Sequence, residues 1–150
     1  IKGVLHPRDA QQAASLQLAG VIVSNHGGRT LDTTPATAWA LPRIADALQG
    51  DLPLLVDGGI RRGTDVLKAI ALGASAVLVG RPIVFGLANA GAQGVAHVLR
   101  LLRDELEIAM ALTGCRTLAD AGADMLLRGP DDDSSFRSNN GPFHAGWMPI

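Results

Sequence analysis

The sequence contains no tyrosine, a single cysteine and few other aromatic residues, and it carries no excess of charge of either sign. With Cys115 alone, no internal disulfide and no cysteine-cluster metal site can form, which fits a reducing, cytoplasmic location. The net charge of -1 gives no electrostatic reason to expect binding to nucleic acid or to an anionic membrane. Apolar stretches are interrupted by Gly, Pro or Arg, so we expect no membrane span.

The chain does have a core-forming composition and a strand–helix rhythm. Its 150 residues are 47% hydrophobic and 18% charged, which is enough for one domain with a real core. Predicted strands cover residues 2–5, 21–24, 54–56 and 76–79, and predicted helices cover 7–18, 37–48, 64–72, 93–112 and about 118–127. This alternation predicts parallel strands joined by right-handed crossovers. Four such units make half of a (β/α)8 barrel, although the strand count also fits a small doubly wound sheet.

The two ends of the chain differ from this pattern. Ile1-Lys2-Gly3-Val4 resembles the middle of a strand, with no methionine and no signal peptide, which predicts a fragment or one chain of a split protein. Residues 129–150 contain consecutive aspartates and many Ser, Asn, Gly and Pro residues with little periodicity. We therefore predict a domain at 1–128 and an irregular tail at 129–150.

The motif Ser24-Asn25-His26-Gly27-Gly28-Arg29 directly follows the apolar run Val21-Ile22-Val23. In sheets crossed by helices, ligands bind beyond the carboxyl ends of the strands, where this motif lies. His26 can take a proton near neutral pH, and Arg29 can bind a carboxylate through two parallel hydrogen bonds. One loop therefore offers a base and a carboxylate-binding group.

Two glycine–arginine loops follow the next two strands. Asp57-Gly58-Gly59-Ile60-Arg61-Arg62-Gly63 opens a helix, and its backbone N–H groups, the helix N-terminus and Arg61 predict a phosphate site. Gly80-Arg81 offers a second loop of the same kind. Asp57 is suited to accepting hydrogen bonds from sugar or ribityl hydroxyls. Lys2 lies at a strand end on the same predicted face, where a cation can stabilise charge on a cofactor ring, although a surface lysine is the simpler interpretation.

These motifs resemble, in order and spacing, the FMN-dependent 2-hydroxy acid oxidases and dehydrogenases, which include glycolate oxidase, lactate oxidase, mandelate dehydrogenase and flavocytochrome b2. The resemblance covers about residues 1–128 and corresponds to strands five to eight of their (β/α)8 barrel. It implies the C-terminal half of a TIM barrel that binds FMN and oxidises an (S)-2-hydroxy acid to a 2-oxo acid. It also implies a homo-oligomer, since the family tends to form tetramers.

The resemblance also implies a role for each motif residue. We expect no metal site. His26 would be the base that takes a proton from the substrate, and Arg29 would bind the substrate carboxylate. Lys2 would lie against the N1/O2 edge of the flavin, Ser24 would reach the flavin or its ribityl chain, and Asp57 would meet the ribityl hydroxyls. The FMN phosphate would be held by Gly59, Arg61, Gly80 and Arg81.

The sequence departs from the family in ways that leave alternatives open. Thr30 stands where the family usually has glutamine, and the half that supplies tyrosines, a second arginine and the aspartate that orients the histidine is absent. We therefore expect the chain to work beside the N-terminal half of the barrel, either as a second polypeptide or in a longer precursor. Another FMN barrel, such as a type 2 isopentenyl diphosphate isomerase, remains an alternative, as does a non-catalytic half-barrel that binds a phosphate ligand or a partner chain. The residues favour neither hydride transfer nor a carbanion, and neither oxygen nor a carrier as electron acceptor.

Overall fold

The computed structural model describes residues 1–127, and the predicted tail lies outside them. Four short strands form one parallel sheet in the order β1-β2-β3-β4. They are β1 (Lys2–Val4), β2 (Val21–Val23), β3 (Leu54–Val56) and β4 (Ala76–Val77). The predicted α/β class with parallel strands is confirmed. Across the described part of the chain the strand order follows the sequence, without the reversal that defines a doubly wound sheet.

One helix follows each strand, as the alternating pattern predicts. These are α1 (Pro7–Ser15), α2 (Thr37–Leu48), α3 (Gly63–Ala71) and α4 (Arg81–Thr113). Short 3-10 helices cover His26–Gly28, Leu118–Asp120 and Ala123–Met125. The predicted helix at 118–127 is therefore wrong. Gly122 has an extended backbone there, with φ −116° and ψ 164°, and separates two single turns.

The two faces of the sheet are buried to different degrees. Val21 and Val23 are completely buried against helices α1 and α2, and Leu54 and Val56 are almost as deeply buried. Side chains alternate between the faces of a strand, so Ile22 points to the opposite face, where it is only partly buried. Residues 1–127 therefore cover one face of the sheet well and the other incompletely.

Helix α4 begins at Arg81 rather than at the predicted residue 93, and it is broken at Ala90–Gly91, where Gly91 has φ 57° and ψ −139°. The two segments approach each other so closely that a Cβ on Gly94 would overlap the carbonyl oxygen of Gly86. Glycines lower the helical propensity of residues 81–94, which is why the sequence pattern misses this part of the helix. The same glycines allow the close approach.

Helix α4 is also long and apolar enough to cross a membrane by length and composition, with a mean hydropathy of 1.2 over an 18-residue window of which 11% is buried. The expectation that interrupted apolar stretches exclude such a segment is therefore wrong on these criteria. The interruptions do not prevent a helix, because Pro82 stands in its first turn and the glycines lie inside it. Every 18-residue stretch of α4 that has at most two charged residues includes the break at Ala90–Gly91. Helix α4 also packs on α3. We assign α4 to the α/β fold.

Candidate active site

The loop after β2 is held in shape by two side chains of its own motif. Ser24 is completely buried, and its Oγ accepts a hydrogen bond of 3.1 Å from the backbone N–H of His26. Asn25 Oδ1 accepts one of 3.1 Å from the N–H of Gly27, while its Nδ2 donates to the carbonyl of Pro35 at 3.3 Å. His26 has a left-handed backbone with φ 54°, which is uncommon for a residue other than glycine. The motif therefore fixes the backbone from which the exposed His26 side chain extends.

The side chains of Lys2, Ser24 and Asp57 meet at the carboxyl edge of the sheet. Lys2 is the first residue of β1, and Ser24 and Asp57 directly follow β2 and β3. Lys2 Nζ donates to Ser24 Oγ at 3.2 Å and forms an ion pair with Asp57 Oδ2. The other carboxylate oxygen, Asp57 Oδ1, is buried and has no hydrogen-bond partner within residues 1–127. A buried acceptor without a donor is costly, so this atom is suited to receiving a hydroxyl group from a ligand.

Thr37 holds the Asp57 loop, a contact that the sequence motifs do not reveal. The side chain is buried, and its Oγ1 lies 2.6 Å from the carbonyl oxygen of Asp57 and 3.2 Å from that of Gly58. The only sequence signal is its place at the start of a helix, where threonine commonly caps the helix itself. Ala36 is the N-cap instead, so the hydroxyl of Thr37 is free to bind the neighbouring loop.

Side-chain carboxylates bind part of the loop that begins α3, where the sequence predicts a phosphate site. The backbone N–H groups of Arg61 and Arg62 both donate to Asp65 Oδ2 at 3.0 Å, and the N–H of Gly63 donates to Glu105 Oε2 at 2.9 Å. Two carboxylates therefore already accept from three amides of this loop, while binding of a phosphate by Gly59 and Arg61 stays a prediction. The guanidinium group of Arg61 makes no hydrogen bond or ion pair to any residue that the structure describes, so it is available to an anion.

Arg81 connects the second glycine–arginine loop with the histidine motif. Its Nη2 donates a hydrogen bond of 2.7 Å to the carbonyl of Gly27. Gly80 precedes it as the N-cap of α4, and Gly59 lies in the loop after β3 with φ +85° and open space where a Cβ would stand. Arg29 is exposed at the end of the 3-10 turn, and its guanidinium group contacts no acceptor among residues 1–127. The predicted site residues thus lie on β1, in the loops after β2, β3 and β4 and, for Arg81, at the start of α4.

The arrangement offers a cation, a base, an anion-binding group and an unsatisfied acceptor, but no metal centre. Within residues 1–127, no group of three or more His, Cys, Asp or Glu side chains is placed to hold a metal ion. The buried Asp57 Oδ1, the Lys2 ammonium and the unpaired Arg61 guanidinium fit a ligand that carries hydroxyls, an electron-rich ring edge and a phosphate. FMN has all three.

Comparison with known proteins leads to the same chemistry. Residues 1–128 match the family described as FMN-dependent dehydrogenase. The chain is 57% identical over 126 residues to L-lactate oxidase of Roseobacter sp., covering 84% of this chain and 34% of that protein. It is 58% identical over 120 residues to glycolate oxidase 1 of Zea mays, covering 80% of this chain and 32% of that protein. A crystal structure of mandelate oxidase with benzoyl-formic acid matches with a TM-score of 0.78 and 51% identity, over 80% of this chain and 36% of that one.

The chain belongs to the FMN-dependent dehydrogenase family. The predicted resemblance and the predicted FMN cofactor are confirmed at the level of the family, and a mandelate oxidase variant has been solved with a monooxide FMN adduct. The relatives carry the names of 2-hydroxy acid oxidases and dehydrogenases, the class that the motifs predict. The chain spans about a third of the length of the curated relatives that it matches.

Proposed function

We propose that this chain is the C-terminal, FMN-binding half of a (β/α)8 barrel that oxidises an (S)-2-hydroxy acid to a 2-oxo acid. The observation that carries the proposal is the meeting of Lys2, Ser24 and Asp57 at the carboxyl edge of the sheet, beside the loop of His26 and Arg29. The oxidase and dehydrogenase names of the relatives favour this reaction over the isomerase alternative.

The sheet supports the proposal that half of the barrel is missing. Its strands run in sequence order, β1 and β4 each have one unpaired edge among residues 1–127, and Ile22 and Leu55 are only partly buried on the second face. In a closed barrel this face would be filled by side chains from all the strands. We infer that the N-terminal half, as a second polypeptide or in a longer chain, covers it, and that the complete protein is a homo-oligomer. A cytoplasmic location stays a prediction, since some relatives are named as peroxisomal.

The cofactor would be held by residues of β1 and of the loops after β2, β3 and β4. Asp57 Oδ1 would accept from a ribityl hydroxyl, Ser24 would contact the flavin or the ribityl chain, and Lys2 would lie at the N1/O2 edge of the ring. The phosphate would be bound by the side chains of Arg61 and Arg81 with Gly59 and Gly80. Bound FMN would supply the two-electron acceptor.

His26 and Arg29 would act on the substrate. Oxidation of a 2-hydroxy acid removes two electrons and two protons, and the His26 imidazole would take one of these protons. Arg29 would bind the carboxylate through a fork of two hydrogen bonds and so set the orientation of the hydroxyl-bearing carbon. General-base help of this kind contributes about 100- to 10,000-fold to a rate.

The proposal is tested by the visible absorbance of the protein as purified and after addition of FMN. Glycolate, lactate and mandelate are then added in turn without oxygen, and the flavin band should bleach with at least one of them. Arg29→Lys should weaken bleaching, while Arg100→Lys, at an exposed position of α4, should leave it unchanged. If flavin binds but no hydroxy acid bleaches it, the isomerase alternative is favoured. If phosphate binds but flavin does not, even with the N-terminal half present, the non-catalytic half-barrel is favoured.

A further inference from the structure

The imidazole ring of His26 lies directly over the backbone of Gly3 on β1. An ideal Cβ at Gly3 would stand 2.6 Å from His26 Cε1, 3.4 Å from Nε2 and 3.5 Å from Nδ1. Cβ atoms essentially never approach another heavy atom within 3.0 Å. The ring therefore fills the space that any side chain at position 3 would occupy.

The backbone of His26 is held by a hydrogen bond to a buried side chain. The N–H of His26 donates to the buried Ser24 Oγ, and the same hydroxyl accepts from Lys2 Nζ. Lys2 and Gly3 are consecutive residues of β1. Strand β1 therefore meets His26 in two ways. Lys2 donates to the same Ser24 hydroxyl as the N–H of His26, and the bare backbone of Gly3 lies beneath the ring.

We propose that Gly3 is a positioning residue for His26, and that its missing side chain sets the distance between the imidazole ring and strand β1. A larger residue at position 3 would displace the ring from the strand and so move the proton acceptor away from a substrate held by Arg29. The importance for catalysis rests on the proposed function. The contact between Gly3 and the ring does not, and it can be measured without flavin or substrate.

The backbone of Gly3 complicates any simple substitution, because its φ of +96° disfavours alanine whatever surrounds it. Gly50 provides a matched control. It has a φ of +91°, and nothing lies within 4 Å of the position where its Cβ would stand. Gly3→Ala and Gly50→Ala therefore introduce a similar backbone strain, and only Gly3→Ala contacts His26.

The test is a double-mutant cycle on the full chain, measured by urea unfolding. Each glycine substitution is made in the natural sequence and in a His26→Ala background. We expect the ring to be coupled to Gly3→Ala by about 2- to 150-fold in the unfolding constant, the usual range for residues in contact. Gly50→Ala should lower the free energy of unfolding by the same amount with and without the His26 ring. An equal cost of Gly3→Ala with and without the ring would overturn the proposal.

Loss of folding in Gly3→Ala does not prevent the test. Recovery of the folded state in the Gly3→Ala/His26→Ala double variant would support the proposal, because it would identify the ring as the group that clashes. If the double variant also fails to fold while His26→Ala and Gly50→Ala do fold, the proposal is overturned.

A spectroscopic measurement separates positioning of the ring from a general loss of stability. The Cε1–Hε1 resonance of His26 should move in Gly3→Ala and stay in place in Gly50→Ala. An unmoved resonance in folded Gly3→Ala would contradict the proposal. These outcomes do not depend on whether a hydroxy acid bleaches the flavin band. Failure of the proposed oxidase function would therefore be recognised separately.

Discussion

Arg81 Nη2 donates a hydrogen bond of 2.7 Å to the carbonyl oxygen of Gly27, across a sequence separation of 54 residues. The bond joins the start of α4 to the centre of the histidine motif. A residue predicted to bind the phosphate therefore also holds the loop that carries the predicted base. Its guanidinium group has five N–H donors, so one bond to Gly27 leaves others for an anion.

Removal of the Arg81 side chain should loosen the loop after β2. Arg81→Ala should cost about 0.5–1 kcal/mol of stability, since the bond is exposed, and it should speed hydrogen exchange at the amide of Gly28. Arg100→Ala, also on α4, is the control and should leave exchange in this loop unchanged. Equal exchange in both variants would show that the hydrogen bond does not hold the loop.

Replacement of His26 should separate binding from chemistry. In the FMN-loaded protein, His26→Gln should slow bleaching of the flavin by the active hydroxy acid by about 100- to 10,000-fold, because the proposed proton acceptor is lost. FMN affinity should change little. His97→Gln, at an exposed position of α4, serves as the control. An unchanged bleaching rate in His26→Gln would show that another group accepts the proton.

The hydroxyl of Thr37 should be important for the Asp57 loop. Thr37→Val keeps the shape of the side chain but leaves the carbonyl oxygens of Asp57 and Gly58 without this donor, which should cost about 1–2 kcal/mol. Thr64→Val, at an exposed position in α3, should cost much less. Denaturant unfolding of both variants measures the difference, and equal costs would rule out the hydroxyl as the source.

Glu105 should stabilise the start of α3 and thereby the position of Arg61, which is predicted to bind the phosphate. Glu105→Ala removes the acceptor for the N–H of Gly63 and should cost about 1 kcal/mol, since the carboxylate is half-exposed. Affinity for FMN should fall more than affinity for riboflavin, which lacks the phosphate. Glu107→Ala on the same helix is the control. An equal loss of affinity for FMN and for riboflavin would show that Glu105 does not act through the phosphate site.

Acid should weaken the turn at Leu118–Asp120. The N–H groups of Thr117 and Arg116 donate to Asp120 at 2.8 Å and 2.9 Å and lower the pKa of its carboxyl below its usual value. Because the folded pKa is lowered, the stabilisation is present above the unfolded pKa and is lost as the pH falls through the folded one. A carboxyl titration followed by NMR should show the lowered midpoint. Asp120→Asn should remove this acid dependence, whereas Asp124→Asn should leave it.

The sequence predicts the parallel sheet and the loops that form the site because these depend on local signals. Apolar runs mark the strands, and polar motifs follow them directly. Since the carboxyl ends of parallel strands share one edge, Ser24 and Asp57 could be expected to lie close together before their contacts were known. Lys2 begins β1, and it is the length of its side chain that brings its Nζ to this edge. The roles of the individual residues toward substrate and cofactor stay predictions.

The contacts that the sequence does not predict are those between distant elements. Nothing near Gly63 indicates that its N–H binds Glu105, and nothing near Thr37 indicates that its hydroxyl binds the Asp57 loop. Helix α4 is missed in part because Gly86 and Gly94 oppose a helix locally while allowing its two segments to pack closely. Tertiary packing outweighs local propensity at these positions.

Helix α4 contributes two of the longest-range contacts at the site, from Arg81 to the histidine motif and from Glu105 to the start of α3. Proteins are synthesised from the N-terminus, so the ribosome releases β2, its loop and β3 before either of these partners exists. The nascent chain can pair its strands early, yet the His26 loop lacks its Arg81 bond until α4 emerges. A stalled or truncated chain ending before residue 105 would therefore hold every predicted site residue and still lack the carboxylate that binds the start of α3.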